Sequence, residues 1–237
     1  MKIVIAAAGR GTRMQALTKN TPKPLIKVAG KPFLYYLLEN VKKAGYTEII
    51  VVGGYFLEQM QDFLKSYDTN IILVDQNKHI IDHTYGTACP LKSVRYFVLD
   101  EDFVFCSGDN LYSVTDLTKV NQLPMQDNYI GGIENPHPEN YGVLQTTDGF
   151  LKKIVEKPTA KIGNLINTGL YKFTKEIFAA VNQITISQRG ELELTDAVNL
   201  LAAKQRVKVE KLADYWYDFG KPEDIKKIEQ FILCKKK

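Results

Sequence analysis

Long apolar runs are missing from this chain of 237 residues. No stretch approaches the roughly 20 residues that a membrane-crossing helix needs. The apolar run at the N-terminus breaks at Gly9-Arg10-Gly11, before it reaches signal-peptide length. Cysteine is also scarce. Cys89, Cys106 and Cys234 are odd in number, far apart and without a C-x-x-C pair, which argues against a disulfide framework and a zinc site. That usage fits a reducing compartment, so a cytoplasmic protein with no membrane association is expected. Charge of one sign is lacking as well: the net value is +4 and the basic residues are dispersed, too little to imply nucleic acid. The exception, Lys235 to Lys237, reads as a solvated, frayed tail. Histidine is rare too. His79 and His83 stand four apart around Asp82, a spacing that shares one face of a helix, but the segment has no helical pattern and lacks the glutamate of H-E-x-x-H. Two candidate ligands are too few for zinc. Repeats, low-complexity tracts and an obvious linker are absent, so a single domain with a substantial core is expected.

The richest stretch runs from Ala6 to Leu25. Met1-Lys-Ile-Val-Ile5 reads as a buried strand, and glycines begin where it ends. Gly9 and Gly11 permit close backbone approach, while Arg13 and Lys23 supply fixed positive charge, which together suit a triphosphate. The alternative is a structural turn. Met14 stands where G-x-G-x-x-G needs its third glycine, and no G-K-[ST] follows, so neither a dinucleotide fingerprint nor a P-loop is present.

Pro32 and Gly45 bracket an expected helix over residues 33–45. Glu48 to Val52 reads as a strand, Leu57 to Tyr67 as a helix and Asn70 to Val74 as a strand, which makes a βαβαβ unit. Such alternation predicts a parallel sheet with helices on both faces and a ligand site beyond the carboxyl ends of the strands. After an irregular piece from Gln76 to Gly86, residues 87–98 read as one helix with Pro90 in its first turn. The strand from Phe103 to Ser107 runs into Gly108-Asp109 and delivers a carboxylate to the same sheet edge. From Asn128 onward the runs NYIGGIE, YGVLQT, FLKKIVE and INTGLYKF predict a β-rich half. Helices are expected over Lys175 to Asn182 and Leu194 to Lys204, then a strand from Val207 to Leu212 and a last helix opened by Pro222.

Six motifs stand in order: Gly9-Arg-Gly-Thr-Arg13-Met, Pro22-Lys-Pro-Leu25, Gly108-Asp109-Asn, Glu156-Lys157-Pro, Asn167-Thr-Gly169 and Trp216-Tyr-Asp218. Over nearly its whole length the chain resembles the sugar-1-phosphate nucleotidylyltransferases. The resemblance implies an α/β fold with a Rossmann-like, mixed and mainly parallel sheet flanked by helices. One domain would divide at about residue 127 into a nucleotide-binding half and a β-rich sugar-binding half. It implies an enzyme that joins an NTP to a hexose 1-phosphate, forming a nucleotide sugar and pyrophosphate, with Mg2+ held by Asp109 and Asp218. Arg13 would neutralise the leaving pyrophosphate and Lys23 would reach the α-phosphate. Ala6, Ala8, Gly9, Gly11 and Thr12 would hold the nucleotide, with Gly86 and Thr87 reading its base. Gly142, Glu156, Lys157 and Asn167 would bind the sugar phosphate, with Trp216 flanking it.

Ile81 stands where the family's base loop has a glutamine, and Gln76 lies ten residues before Gly86, so the base is left open. The Gly190 to Asp196 stretch resembles uridylyl- and thymidylyltransferases and favours UTP or dTTP over a CTP- or GTP-using relative. A non-catalytic homologue that binds nucleotide sugar is the other alternative, against which all four charged positions count. Hexapeptide repeats are absent, so no acyltransferase domain is expected in this sequence, and the resemblance leaves a homo-oligomer open.

Overall fold

A computed structural model describes residues 1–79, 84–99 and 101–235. Ile81, Asp82 and His83, and the end of the lysine tail at Lys236 and Lys237, lie outside the described residues. The chain forms β1 (Lys2–Ala6), β2 (Lys27–Val28), β3 (Lys31–Pro32), α1 (Phe33–Lys43), β4 (Glu48–Gly53), α2 (Leu57–Tyr67) and β5 (Ile72–Asp75). It continues through α3 (Cys89–Ser93), α4 (Arg95–Val98), β6 (Phe103–Ser107), β7 (Asn110–Tyr112), α5 (Val114–Gln122), β8 (Asn128–Glu134), β9 (Gly142–Thr147), β10 (Phe150–Glu156) and β11 (Leu165–Phe173). The last elements are α6 (Glu176–Val181), α7 (Leu194–Ala202), β12 (Val207–Lys211), β13 (Trp216–Asp218) and α8 (Glu223–Lys235).

Nine strands form one sheet in the order β5-β4-β1-β6-β11-β8-β12-β10-β9. β1 is buried on both faces because its side chains alternate between two cores, as a strand of period two must. Val4 joins the core covered by α3, α4, α6 and α7, while Ile3 and Ile5 join the core under α1, α2 and α5. β5, β4, β1 and β6 are parallel, with Ile3 opposite both Ile49 and Val104. Chain order runs outward from β1 to β5 on one side and jumps to β6 on the other. This is the switch point where a crevice opens beyond the strand ends. A third, smaller core sits beneath the glycine loop. There Met14, Ile26, Phe33, Phe219, Ile228 and Ile232 pack together, with the Phe33 and Phe219 rings stacked at 4.4 Å.

The sequence-based elements mostly stand, with informative departures. The β-rich half is joined to the first by its strands: β11 pairs antiparallel with β6, Phe173 opposite Phe103, so they extend one sheet. The helix expected over residues 87–98 is two short ones, interrupted at Val94, whose φ of −99° and ψ of 0° leave the helical basin. The third parallel strand begins at Ile72 rather than Asn70, because Asp68 caps the preceding turn through the Asn70 amide. No helix among the described residues is long and apolar enough to cross a membrane.

Candidate active site

The loop after β1 is tied down on both sides: the Ala7 amide donates to the Val52 carbonyl and the Gly108 amide to the Ala6 carbonyl, at 2.9 and 2.8 Å. Its two glycines answer different demands. Gly11 has φ +64°, and a Cβ there would lie 2.8 Å from the Lys23 Cβ, so the fold itself requires glycine. Gly9 has no such need. A Cβ at Gly9 would meet only the Tyr85 hydroxyl, at 4.0 Å, so the bare backbone there suits a group arriving from outside the chain. Arg13 is exposed and makes no ion pair among the described residues. Lys23 is buried, and its Nζ lies 2.7 Å from Asp109 Oδ2.

Asp109 follows β6, and Asp218 ends β13. The two meet because β13 pairs antiparallel with β7, Asp218 opposite Asn110, and the Phe219 amide donates to the Asp109 carbonyl at 2.9 Å. Burial and the charge of Asp109 push the Asp218 carboxyl up to about 6, against the pull of Lys23 and Arg13. Two facing carboxylates of this kind suit a hard divalent cation that takes its other ligands from water and phosphate. Among the described residues no group of three His, Cys, Asp or Glu side chains could hold a metal, which disfavours a closed protein cage. His79 instead packs edge-on against Phe97.

Across the sheet, Gly142 opens β9 opposite Glu156 at the end of β10, and a Cβ on Gly142 would come within 3.1 Å of Glu156 Oε1. Neither Glu156 nor Lys157 forms an ion pair among the described residues. Glu156 is reached by solvent on one side, yet burial among the cleft walls pushes its carboxyl upward, while Arg189, a Thr195 hydrogen bond and Lys157 pull it down. Lys157 has φ +42°, a strained conformation for a non-glycine residue, held by its amide donating to the Tyr141 carbonyl at 3.0 Å. Asn167 is locked by two bonds: its Nδ2 donates to the Tyr171 hydroxyl at 2.7 Å and its Oδ1 accepts from the Gly169 amide at 2.9 Å. Trp216 packs edge-on against Tyr141 at 5.5 Å.

Gly9, Gly11, Arg13, Lys23, Asp109, Asp218, Gly142, Glu156, Lys157, Asn167 and Trp216 line a single cleft of about 520 Å³, along with Ala6, Ala8, Thr12, Gly86 and Thr87. The same cleft holds residues to which the motifs gave no role. Gln76 is buried with its Oε1 unpartnered among the described residues, so the ten-residue separation from Gly86 is bridged in space. Asn110 is also buried. Its Nδ2 donates to the Thr168 carbonyl at 3.0 Å and its Oδ1 finds no partner among the described residues. Arg189 and Glu193 enter the cleft from the segment before α7. An unpaired buried acceptor is costly, and both amides face space that a ligand could fill.

The sequence matches the family of nucleotidyl transferases over residues 2–235. A bifunctional sugar-1-phosphate nucleotidylyltransferase/acetyltransferase of Sulfurisphaera tokodaii is 34% identical over 98% of this chain and 56% of its own length. The bifunctional protein GlmU of Methanocaldococcus jannaschii is 35% identical over 99% of this chain and 55% of its own. The chain therefore spans little more than half the length of these curated relatives. Among solved structures, a UDP-glucose pyrophosphorylase complexed with UDP-glucose superimposes with a TM-score of 0.84 at 23% identity, covering 99% of this chain and 98% of that one. At that identity the likeness bears on the fold.

Proposed function

The chain belongs to the nucleotidyl transferase family, and from that premise we propose that it transfers a nucleotidyl group from UTP or dTTP to a hexose 1-phosphate, in the presence of magnesium. The observation that carries this reading is the convergence in one cleft of an Arg13 without an ion pair among the described residues, the Lys23 and Asp109 pair, Asp218, and the Glu156 and Lys157 corner.

In the proposed reaction an oxygen of the sugar phosphate attacks the α-phosphorus in line. The bond from that phosphorus to the bridging oxygen breaks, and pyrophosphate departs with the electron pair. A phosphate monoester has its second pKa at about 6, so the attacking oxygen is already deprotonated near neutral pH and no general base is required. What the residues must supply is positive charge and alignment. The amides around Ala8, Gly9 and Gly11 hold the triphosphate, Arg13 neutralises the departing pyrophosphate, and Lys23 passes from Asp109 to the α-phosphate. Lys157 and Arg189 receive the sugar phosphate, while Glu156 and the Gly142 amide fix sugar hydroxyls. Gln76, Gly86 and Thr87 face the base, where the buried Gln76 amide suits the paired donor and acceptor edge of a pyrimidine. Magnesium held by Asp109 and Asp218 would add charge neutralisation at the α-phosphate. The three free thiols suit work in a reducing cytoplasm.

The test is pyrophosphate release from UTP, dTTP, CTP, GTP and ATP across glucose 1-phosphate, N-acetylglucosamine 1-phosphate and related acceptors, with magnesium and with EDTA. Turnover with one pyrimidine nucleotide, lost in EDTA, is expected. No release from any pair would overturn the assignment.

A further inference from the structure

The segment from Ser187 to Thr195 joins two parts of the cleft that are distant in sequence. It opens with a turn: the Ser187 amide donates to the Glu191 carbonyl and the Gly190 amide to the Ser187 carbonyl, at 2.8 and 2.9 Å, with Gly190 at φ +79°. That turn presents Arg189. The next residues are extended and zipped to the base loop. The Leu192 amide donates to the Tyr85 carbonyl at 2.8 Å, the Ala88 amide to the Leu192 carbonyl at 3.0 Å, and the Leu194 amide to Thr87 Oγ1 at 2.8 Å. Contact is so close that a Cβ on Gly86 would fall 2.2 Å from the Leu192 carbonyl oxygen.

Between the two zipped leucines stands Glu193, with a side chain only 5% exposed. Its Oε1 accepts from Arg189 Nε at 2.9 Å and from Ser187 Oγ at 3.0 Å, with Arg189 Nη2 at 2.8 Å. One edge of the guanidinium is thereby occupied, which leaves the other directed elsewhere, since the fork is planar and rigid. Beyond Glu193 the same segment becomes α7, where Asn199 pairs with both backbone groups of Ile154, its Oδ1 accepting at 2.7 Å and its Nδ2 donating at 3.1 Å. Ile154 lies in the strand that ends at Glu156, whose carboxyl feels both Thr195 and Arg189.

We propose that Glu193 is a positioning residue: it aims Arg189 at the sugar phosphate, and the backbone zipper through Leu192 and Leu194 makes that aim depend on the loop that receives the base. This role rests on the function proposed above. A buried charged acceptor holding a half-exposed arginine is a geometry that fixes direction more than it adds stability.

The variants are E193A, E193Q, R189A and the double R189A/E193A. Pyrophosphate release is measured with UTP or dTTP and with glucose 1-phosphate or N-acetylglucosamine 1-phosphate, whichever pair the wild type uses. E193A should raise the KM for the sugar phosphate by about tenfold and leave the nucleotide KM within about twofold. E193Q keeps an oxygen for Arg189 Nε, so it should fall between, and it covers the case in which E193A fails to fold. E193A should add nothing in the R189A background, because a positioning residue has no effect once its client is gone. A full additional loss in the double variant, or a nucleotide KM that rises in step, overturns the proposal. Thr87→Val, which removes the acceptor for the Leu194 amide, should raise both KM values; an effect on the nucleotide alone refutes the link to the base loop. In the ligand-free protein the Arg189 Nε–H resonance should be protected from exchange in wild type and broadened in E193Q. This last measurement needs no turnover, so an inactive wild type would sink the proposed function while an unprotected Nε–H would sink the positioning role.

Discussion

Asp218 offers a prediction whose sign runs against ordinary expectation for a charged residue lining a cleft. Its carboxyl is pushed up to about 6 by burial and by Asp109. In an unfolded chain an aspartate titrates near 3.9. Between those values the folded protein holds a proton that the unfolded chain has released, so stability falls as pH rises through that window and is lowest above about 6. Two pKa units correspond to about 3 kcal/mol, and because the side chain is partly reached by solvent, about 2 kcal/mol is a fair working figure. D218N keeps the shape and removes the charge. In EDTA at about pH 7.5 the variant should therefore be more stable than wild type by about 2 kcal/mol, and near pH 4 the two should match. Adding magnesium should stabilise wild type and leave D218N unmoved, and the variant should lose turnover. Urea unfolding followed by circular dichroism at the two pH values, with and without the metal, reads all of this. A D218N protein no more stable than wild type in EDTA at the higher pH would refute the reasoning.

Two further comparisons separate roles that look alike in sequence. G9A should keep the melting temperature of wild type within about 2 °C and lose most NTP binding, whereas G11A, strained at φ +64° against Lys23, should lose stability by about 1 to 3 kcal/mol as well; thermal unfolding beside nucleotide titration distinguishes them, and equal melting temperatures would contradict the steric account. Asp116 is buried and accepts from Ser113 Oγ, the Ala213 amide and the Asp214 amide at 2.8, 3.0 and 3.2 Å. D116A strands those donors and should destabilise the protein by about 2 to 4 kcal/mol in chemical denaturation, while a loss below about half a kcal/mol would show that water replaces the carboxylate.

Local chemistry was readable where neighbours in sequence decide it. The strand of Ile3, Val4 and Ile5, the glycine loop, the helix bracketed by Pro32 and Gly45, and the carboxylate after Phe103 to Ser107 all follow from period, turn residues and caps. The helix α5 also carries a local signal: Ser113 accepts from the Asp116 amide, the mark of an N-cap, in the run Ser113-Val-Thr-Asp116. Other features carried no local signal. Val94 gives little reason to break a helix until the core beneath it is known. Nothing in the run of Asn128 to Phe173 says that β11 will lie antiparallel to β6, and so that the second half continues the first sheet.

The site divides in the same way. Motifs named Arg13, Lys23, Asp109, Asp218, Glu156 and Lys157, because residue type and order in the chain identify a family. What Gln76, Asn110, Arg189 and Glu193 do emerged only in the folded chain, since the work of an amide, a carboxylate or a guanidinium depends on which neighbours satisfy it. Sequence alone determined which charges this protein carries and roughly where along the sheet edge they emerge. Tertiary structure decided which of them pair with each other and which are left facing the cleft, because hydrogen bonding and desolvation act over a few ångströms of space that sequence distance does not measure.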